Sequence, residues 1–408
     1  MKARIIVGLL AALAVLSAGR LAAQSSGKEL IDRYHGLGYV VVSPQGPGDG
    51  SDFGPQTSNT RTAGLQEALS FAKEKNRDVY IAGPGVYSLE ETLRIPWRQN
   101  FRLDGGEYVI NYPKPTGDAI VIDSQMNCFL KLGLIVSQSP EAVVRMKPET
   151  KGPDGFVVIV ASDFYFNAFV GGGDVWGRPG ARGKGMGLWM DGSVGPIVNN
   201  RIFSIEANAC DKGLYMTGRV SHNWIQIPFM HLCNVHVQIG DQNSSGQRGN
   251  VIEAYVDGAA VEGSVGAQIF GQENVLTLNL GRFAAGKGVI FEAPAKDNLI
   301  TAINLQGRVT NNAAVPTNRV VTAQPEGFAL TTPAVPPSGQ DEVNRNFSPV
   351  EIVVLAPGKV AGWTVTDAKG KTLTVPAGLA AGQRFVLNPG EKVKLDYSSA
   401  PTWRWRGL

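Results

Sequence analysis

Four carboxylates stand where this chain could do chemistry. Asp191 closes the apolar run LWMD, and Asp241 follows a similar run farther on. Glu206 precedes the charged pair Asp211-Lys212, and Glu253 is the third residue after Asn250. Two carboxyl groups flanking a glycosidic bond hydrolyse it: one protonates the leaving oxygen, and the other activates water or attacks the sugar. A lyase instead needs a base for the proton beside a uronic carboxylate, with cations or calcium to stabilise the developing charge. Lys212, Arg219, His222 and Arg248 are the cationic or basic side chains at hand. Of the four histidines, His231 and His236 lie five residues apart, which is not a helical metal spacing but suits proton transfer at one corner of a fold. A glycine-rich segment, VGGGDVWGRPGARGKG, carries Asp174, Trp176 and Arg178, an aromatic with a carboxylate and a cation, as in a sugar-binding wall or a solvated excursion. It does not end in the Gly-Lys-Ser/Thr of a phosphate-binding loop. The expected substrate-binding set is Asp174, Trp176, Arg178, Lys212 and His231; the expected catalytic set is Asp191, Asp241, Glu206 and Glu253.

These groups need elements to position them, and a repeat supplies those. Asn200, Asn223, Asn250, Asn274 and Asn298 each open a short apolar run. Two places later stand Ile202, Ile225, Ile252, Leu276 and Ile300; four places later stand Ser204, Ile227, Ala254, Leu278 and Ala302. Alternation at strand period inside a longer fixed period marks a coil whose turns stack. The asparagines are then structural: buried at a corner, they satisfy backbone groups and bond one another up the stack. Gly187-Leu188-Trp189-Met190 and Gly213-Leu214-Tyr215-Met216 are equivalent second strands, with Val237, Gly266 and Gly288 opening the later copies, and the glycines are expected to allow sharp corners. In this register Asp191 and Asp241 lie two rungs apart, about 10 Å at the usual strand spacing. That is close to the separation used for inversion and long for direct nucleophilic attack. Glu253 shares an outward ladder with Phe203 and Gln226.

The whole chain limits the function classes. Its 408 residues include 50 glycines and 24 prolines, and only 18% are charged, as in a turn-rich β protein. A net charge of +3 gives no warrant for nucleic-acid binding. Residues 1–23, with Lys2, Arg4 and an apolar core from Ile5 to Leu16, read as an export signal, so a periplasmic or extracellular location is expected. No later stretch is long and apolar enough for a membrane span. Cys128, Cys210 and Cys233 are too few for a disulfide framework. Cys210 and Cys233 each lie ten residues after their asparagines and are expected to stack, as free thiols or as a disulfide.

The stretch GPGDGSDFGPQTSNTRTAGLQEALSFAKEK and the following VYIAGPGVYSLEETLRIPWRQNFRLDGG resemble the start of pectate-lyase-like, right-handed parallel β-helix proteins. The matching features are Gly48-Asp49-Gly50, the helix bearing Leu65-Gln66-Glu67-Ala68, Gly83-Pro84-Gly85-Val86-Tyr87, and Leu93-Arg94-Ile95. The resemblance implies an all-β, right-handed, single-stranded parallel β-helix and a polysaccharide or oligosaccharide partner. It names no reaction, because lyases, hydrolases, epimerases, esterases and simple binders share the fold, and the closely paired aspartates of polygalacturonases are absent.

The expected order is an approach and cap over 24–60, the coil over 61–310, an irregular linker or cap over 311–349, and a small β domain over 350–408. A helix over 62–75, capped by Thr62, would close the first turn of the coil. Trp403 and Trp405 are expected to dock on the protein body, with sugar stacking as the alternative. Glycosidic hydrolysis stands slightly ahead of elimination, and a noncatalytic glycan-binding or assembly role is the rival. No cofactor is required, calcium is the one metal left open, and a monomer or a lateral homotrimer would serve.

Overall fold

A computed structural model describes residues 27–172, 184–258, 261–281, 283–284, 287–303, 309–315, 317–322, 331–346 and 349–408. The export signal lies outside them. Among the described residues no helix is long and apolar enough to cross a membrane.

Short parallel strands wind into two large sheets, of 13 and 12 strands. In each sheet the strands follow one another in steady progression along the chain, because each turn lays one strand on each sheet. The longer Met186–Val198 and Lys212–Ser221 strands bend partway, at a register shift after Gly192. Their distal ends continue a third face through Ile159–Val160, Gln125–Met126 and Arg98–Gln99. The coil is therefore three-sided, with a first sheet, a second sheet and this narrow third face.

The pleat decides what is inside. Ile202, Ile225, Ile252, Leu276 and Ile300 are all buried and pair rung to rung. They belong to one continuous apolar core running from Val40 to Val320. Removing each such side chain from water contributes roughly 1.5–3 kcal/mol, repeated at every rung.

The asparagine ladder forms as expected. The Nδ2 amides of Asn200, Asn223, Asn250 and Asn274 donate to the next Oδ1 over 2.9, 3.0, 3.0 and 3.1 Å. The ladder goes farther than the repeat suggests. Asn298 donates to Asn318 at 2.8 Å, while at the other end the Ser162 hydroxyl accepts from the Cys128 N–H at 3.0 Å. Just before the ladder position the backbone turns left-handed at Asn100, Asn127, Ala161, Asn199, His222, Glu273 and Asp297, with φ between 51° and 57°.

The repeated glycines act differently from expectation. Gly187, Gly213 and Gly266 do not adopt positive φ; they lie against the backbone of the next rung. A β-carbon at Gly187 would sit 2.5 Å from the Gly213 carbonyl oxygen, and one at Gly266 would sit 2.3 Å from that of Gly288. Close approach between turns, rather than a sharp corner, requires the missing side chain.

The capping helix spans Leu65–Glu74 and buries Leu65, Ala68, Leu69 and Ala72. It starts later than the expected Thr62 because Gly64 takes a left-handed conformation, with φ of 83°. The Thr62 hydroxyl still accepts the Gln66 N–H at 3.1 Å. Sequence reading missed a second helix, Gly27–Gly36, in the stretch read as irregular. Its Tyr34 ring stacks on Tyr80, and Ile31 packs with Val41 and Tyr80 on the outside of the first rungs.

The coil continues through Arg319–Thr322, which pairs with Leu299–Ile303 inside the stretch read as linker. Two antiparallel sheets of 4 and 3 strands then form the C-terminal unit. Trp403 and Trp405 belong to its core, and Trp403 Nε1 donates to the Pro333 carbonyl at 2.9 Å. Both rings are thus built into the unit rather than displayed for sugar stacking.

Candidate functional site

The coil divides the expected site residues between two outer faces. Glu206, Glu253 and His231 lie on the first sheet; Asp191 and Lys212 lie on the second, and Asp241 stands beside it. Asp174, Trp176 and Arg178 lie outside the described residues.

On the second sheet, Arg145, Trp189, Tyr215 and Gln238 occupy one register column. The Arg145 guanidinium lies 3.8 Å from the centre of the Trp189 ring, and Trp189 stacks on Tyr215 at 5.5 Å. Lys212 lies 5.1 Å from the centre of the Tyr215 ring. Arg145 also donates to Asp191 over 2.6 and 3.1 Å and reaches Asp118 at 3.3 Å. Burial alone would raise the Asp191 carboxyl, but hydrogen bonds from Ser193 and Arg145 hold it below the usual carboxylate range. A buried carboxylate fixed in this way is a poor proton donor. Asp241 accepts the Tyr215 hydroxyl at 2.6 Å. Burial first, then the neighbouring Asp241 charge, keeps that phenol protonated far above neutral pH. Lys212 pairs with Asp211 at 2.9 Å. The register of Asp191 with Thr217 is as the repeat indicates.

The first sheet offers a more open arrangement. His231 Nε2 lies 2.7 Å from Glu206 Oε1, and both side chains are between a quarter and a third exposed, at 28% and 29%. This is a close polar contact without full hydrogen-bond alignment. Phe229 stacks on Tyr255 at 5.6 Å with ring planes 7° apart, and it lies 4.5 Å from the His231 ring. Asn208, His231 and Asp257 share one column on successive rungs. Glu253 accepts from Gln226 at 3.2 Å, three positions away from the Glu206 row.

Chain length around the coil helps to place this cluster. Its rungs turn through residues 209–211 and 232–234, two short corners. The corresponding connections before and after are longer, 172–185 and 258–264. Behind the corner, buried His236 contacts the carbonyls of Val265 and Asp257, each at 3.0 Å, with burial lowering its basicity. His236 therefore ties the ends of the 258–264 connection, while His231 faces outward. Beneath the same corner Cys210 and Cys233 are buried free thiols. Burial and the adjacent Cys210 push the Cys233 thiol well upward, away from the reactive thiolate.

Sequence reading missed Phe229, Tyr255, Arg145 and Trp189 as site neighbours. A signal was present for the last: Trp189 and Tyr215 fill the same slot of matched repeats. None was present for Phe229, because a register shift after Ile227 moves it out of simple alternation.

No family model matches the chain, and no curated protein matches it. The architecture itself shows the fold: sequential parallel strands, a continuous internal asparagine ladder, an N-terminal capping helix and a small C-terminal β unit. The chain is a right-handed parallel β-helix. That fold is a common scaffold for carbohydrate-active proteins, and the reaction has to be argued from side chains. Among the described residues no group of three or more His, Cys, Asp or Glu side chains is arranged to hold a metal ion; no residue set is assigned to the calcium left open by the sequence.

Proposed function

We propose that this β-helix is an exported enzyme that cleaves a polysaccharide, with Glu206 and His231 as its acid–base pair. The observation that carries the reading is their 2.7 Å contact beside stacked Phe229 and Tyr255, with His231 Nε2 itself buried against Glu206 and the rest of both side chains partly exposed on the outer face. Aromatic rings contribute apolar area and orientation for sugar rings, while a carboxylate beside an imidazole fixes and polarises a proton-transfer group.

The pair favours β-elimination on a uronic-acid polymer. His231 takes the proton from sugar C5, the electron pair becomes the C4–C5 double bond, and the C4–O bond breaks as the imidazolium so formed passes its proton to the leaving oxygen, which returns His231 to its starting form. Glu206 stabilises the imidazolium. Elimination also needs a cation for the uronic carboxylate; Lys212 begins the next strand across the short 209–211 turn and would have to exchange its Asp211 partner to serve. Hydrolysis is the second reading, favoured by the carboxylates Glu206 and Asp257 that border the same His231. Asp191 contributes less to either route because Arg145 already engages it.

A polysaccharide panel with mass analysis and ultraviolet detection tests the proposal. Shorter uronic chains with absorbing unsaturated ends are expected. His231→Ala should lower turnover by about 100-fold or more, the scale of a lost acid–base group. Shorter chains without unsaturation would select hydrolysis. Retention without shortening would overturn the enzyme reading. Loss of turnover in folded Asp191→Asn or Asp241→Asn, with His231→Ala active, would move the centre to the second sheet.

A further inference from the structure

The C-terminal unit carries a second polar surface that cleavage does not use. Its four-stranded sheet turns one face inward through Val393 and Val365, against the core formed with Trp403 and Trp405. Strand register puts the alternate residues on the opposite face. Asp341, Lys394, Thr364 and Thr374 form one row; Lys392, Thr366 and Thr372 form the next. A concavity of about 530 Å³ lies over them, closed at one side by the Asp367–Gly370 turn and Gly390.

The charges on this face are mixed, with exposed Asp396 following Lys394 at the same alternation, and what singles out Lys394 is its lack of an ion-pair partner among the described residues. Lys392 pairs with Asp341 at 2.6 Å. The Asp367 carboxylate accepts the backbone N–H groups of Lys369 and Lys371, over 2.9 and 2.8 Å, so its charge is engaged by its own turn. Lys394 is half-buried on the central strand, and no carboxylate among the described residues lies within ion-pair distance of it. Lys369 and Lys371 belong to the adjoining turn, bonded through their backbone N–H groups to Asp367. A half-buried cation among hydroxyl groups in a concave face favours an anionic ligand that can also exchange hydrogen bonds.

We infer that this face is a binding site for an anionic polysaccharide, with Lys394 as its principal charge contact and Thr364, Thr366 and Thr372 as hydroxyl partners. It is separate from the Glu206–His231 pair and does not depend on that pair being catalytic. Its consequence is retention: a polymer held by the C-terminal unit stays near the coil between encounters, raising its effective concentration there.

The test is affinity electrophoresis of the full chain in gels containing polygalacturonate, using His231→Ala so that cleavage cannot remove the probe. Retardation is expected, weakening as salt rises. Adding Lys394→Glu should weaken retention at least tenfold, and Thr366→Val should weaken it by a smaller factor. Circular dichroism checks the fold of each variant, and Lys394→Gln provides a milder exchange at the same position. Unchanged retention in folded Lys394→Glu and Lys394→Gln would overturn the inference. So would absence of retention, equal retention by neutral dextran, or equal retention by duplex DNA. Retention abolished by Glu206→Gln but unaffected at Lys394 would place the binding on the coil and overturn the C-terminal site alone.

Discussion

The ladder asparagines show how one residue type can be indispensable without taking part in a reaction. Buried Asn250 accepts from the backbone and side chain of Asn223 and donates to Val220 and Asn274. Alanine would orphan several buried polar groups at once, so Asn250→Ala should lower unfolding free energy by about 3 kcal/mol, measurable by urea titration. Asp191 illustrates the same economy with charge. Its carboxyl is depressed in the folded state, so its contribution is present above the unfolded carboxylate value of about 4 and fades as pH falls through the lower folded value. Arg145→Met removes the partner of that buried carboxylate. It should cost about 3 kcal/mol at neutral pH and flatten the acid limb of the stability profile.

Corners, more than strands, individualise the elements of this coil. Glu273 occupies a left-handed position, with φ of 57°, immediately before ladder residue Asn274. Asparagine or glycine can adopt that conformation, whereas a β-branched residue resists it. Glu273→Asn should leave thermal stability nearly unchanged, and Glu273→Val should cost about 1–3 kcal/mol. Strand identity in the later rungs was legible because Ile202, Ile225, Ile252, Leu276 and Ile300 repeat at one offset. The Gly27–Gly36 helix was not, because it buries little of itself: only Ile31 is fully enclosed, and its support comes from aromatic contacts with distant Tyr80. Likewise Asn318 escaped notice because its rung follows a shorter interval than the earlier ones.

At the scale of the molecule, stacking turns sequence intervals of more than twenty residues into steps of about 4.8 Å. Glu206 and His231 are distant in the chain and adjacent in space for this reason. Their role is best tested in the intact protein. Glu206→Gln keeps the shape while removing the charge beside the imidazole. It should lower polysaccharide turnover by about tenfold or more, with an unfolding transition close to that of the parent chain. The coil sets Glu206 and His231 on adjacent parallel rungs, and the C-terminal unit sets Lys392 and Lys394 among threonines on antiparallel strands.

The order of residues alone determined that a ribbon would wind about an apolar axis, since alternation, corner asparagines and repeat length are local properties of the chain. It also made Asp191, Glu206, Asp241, Glu253, Lys212 and His231 visible as polar groups along that ribbon. Tertiary structure decided their company. Arg145 reaches Asp191 from another rung, Tyr215 engages Asp241, and Glu206 meets His231. Those pairings depend on corner lengths, strand bends and the register shift beside Phe229. They are set by how complete turns fit together, which no short stretch of sequence specifies by itself.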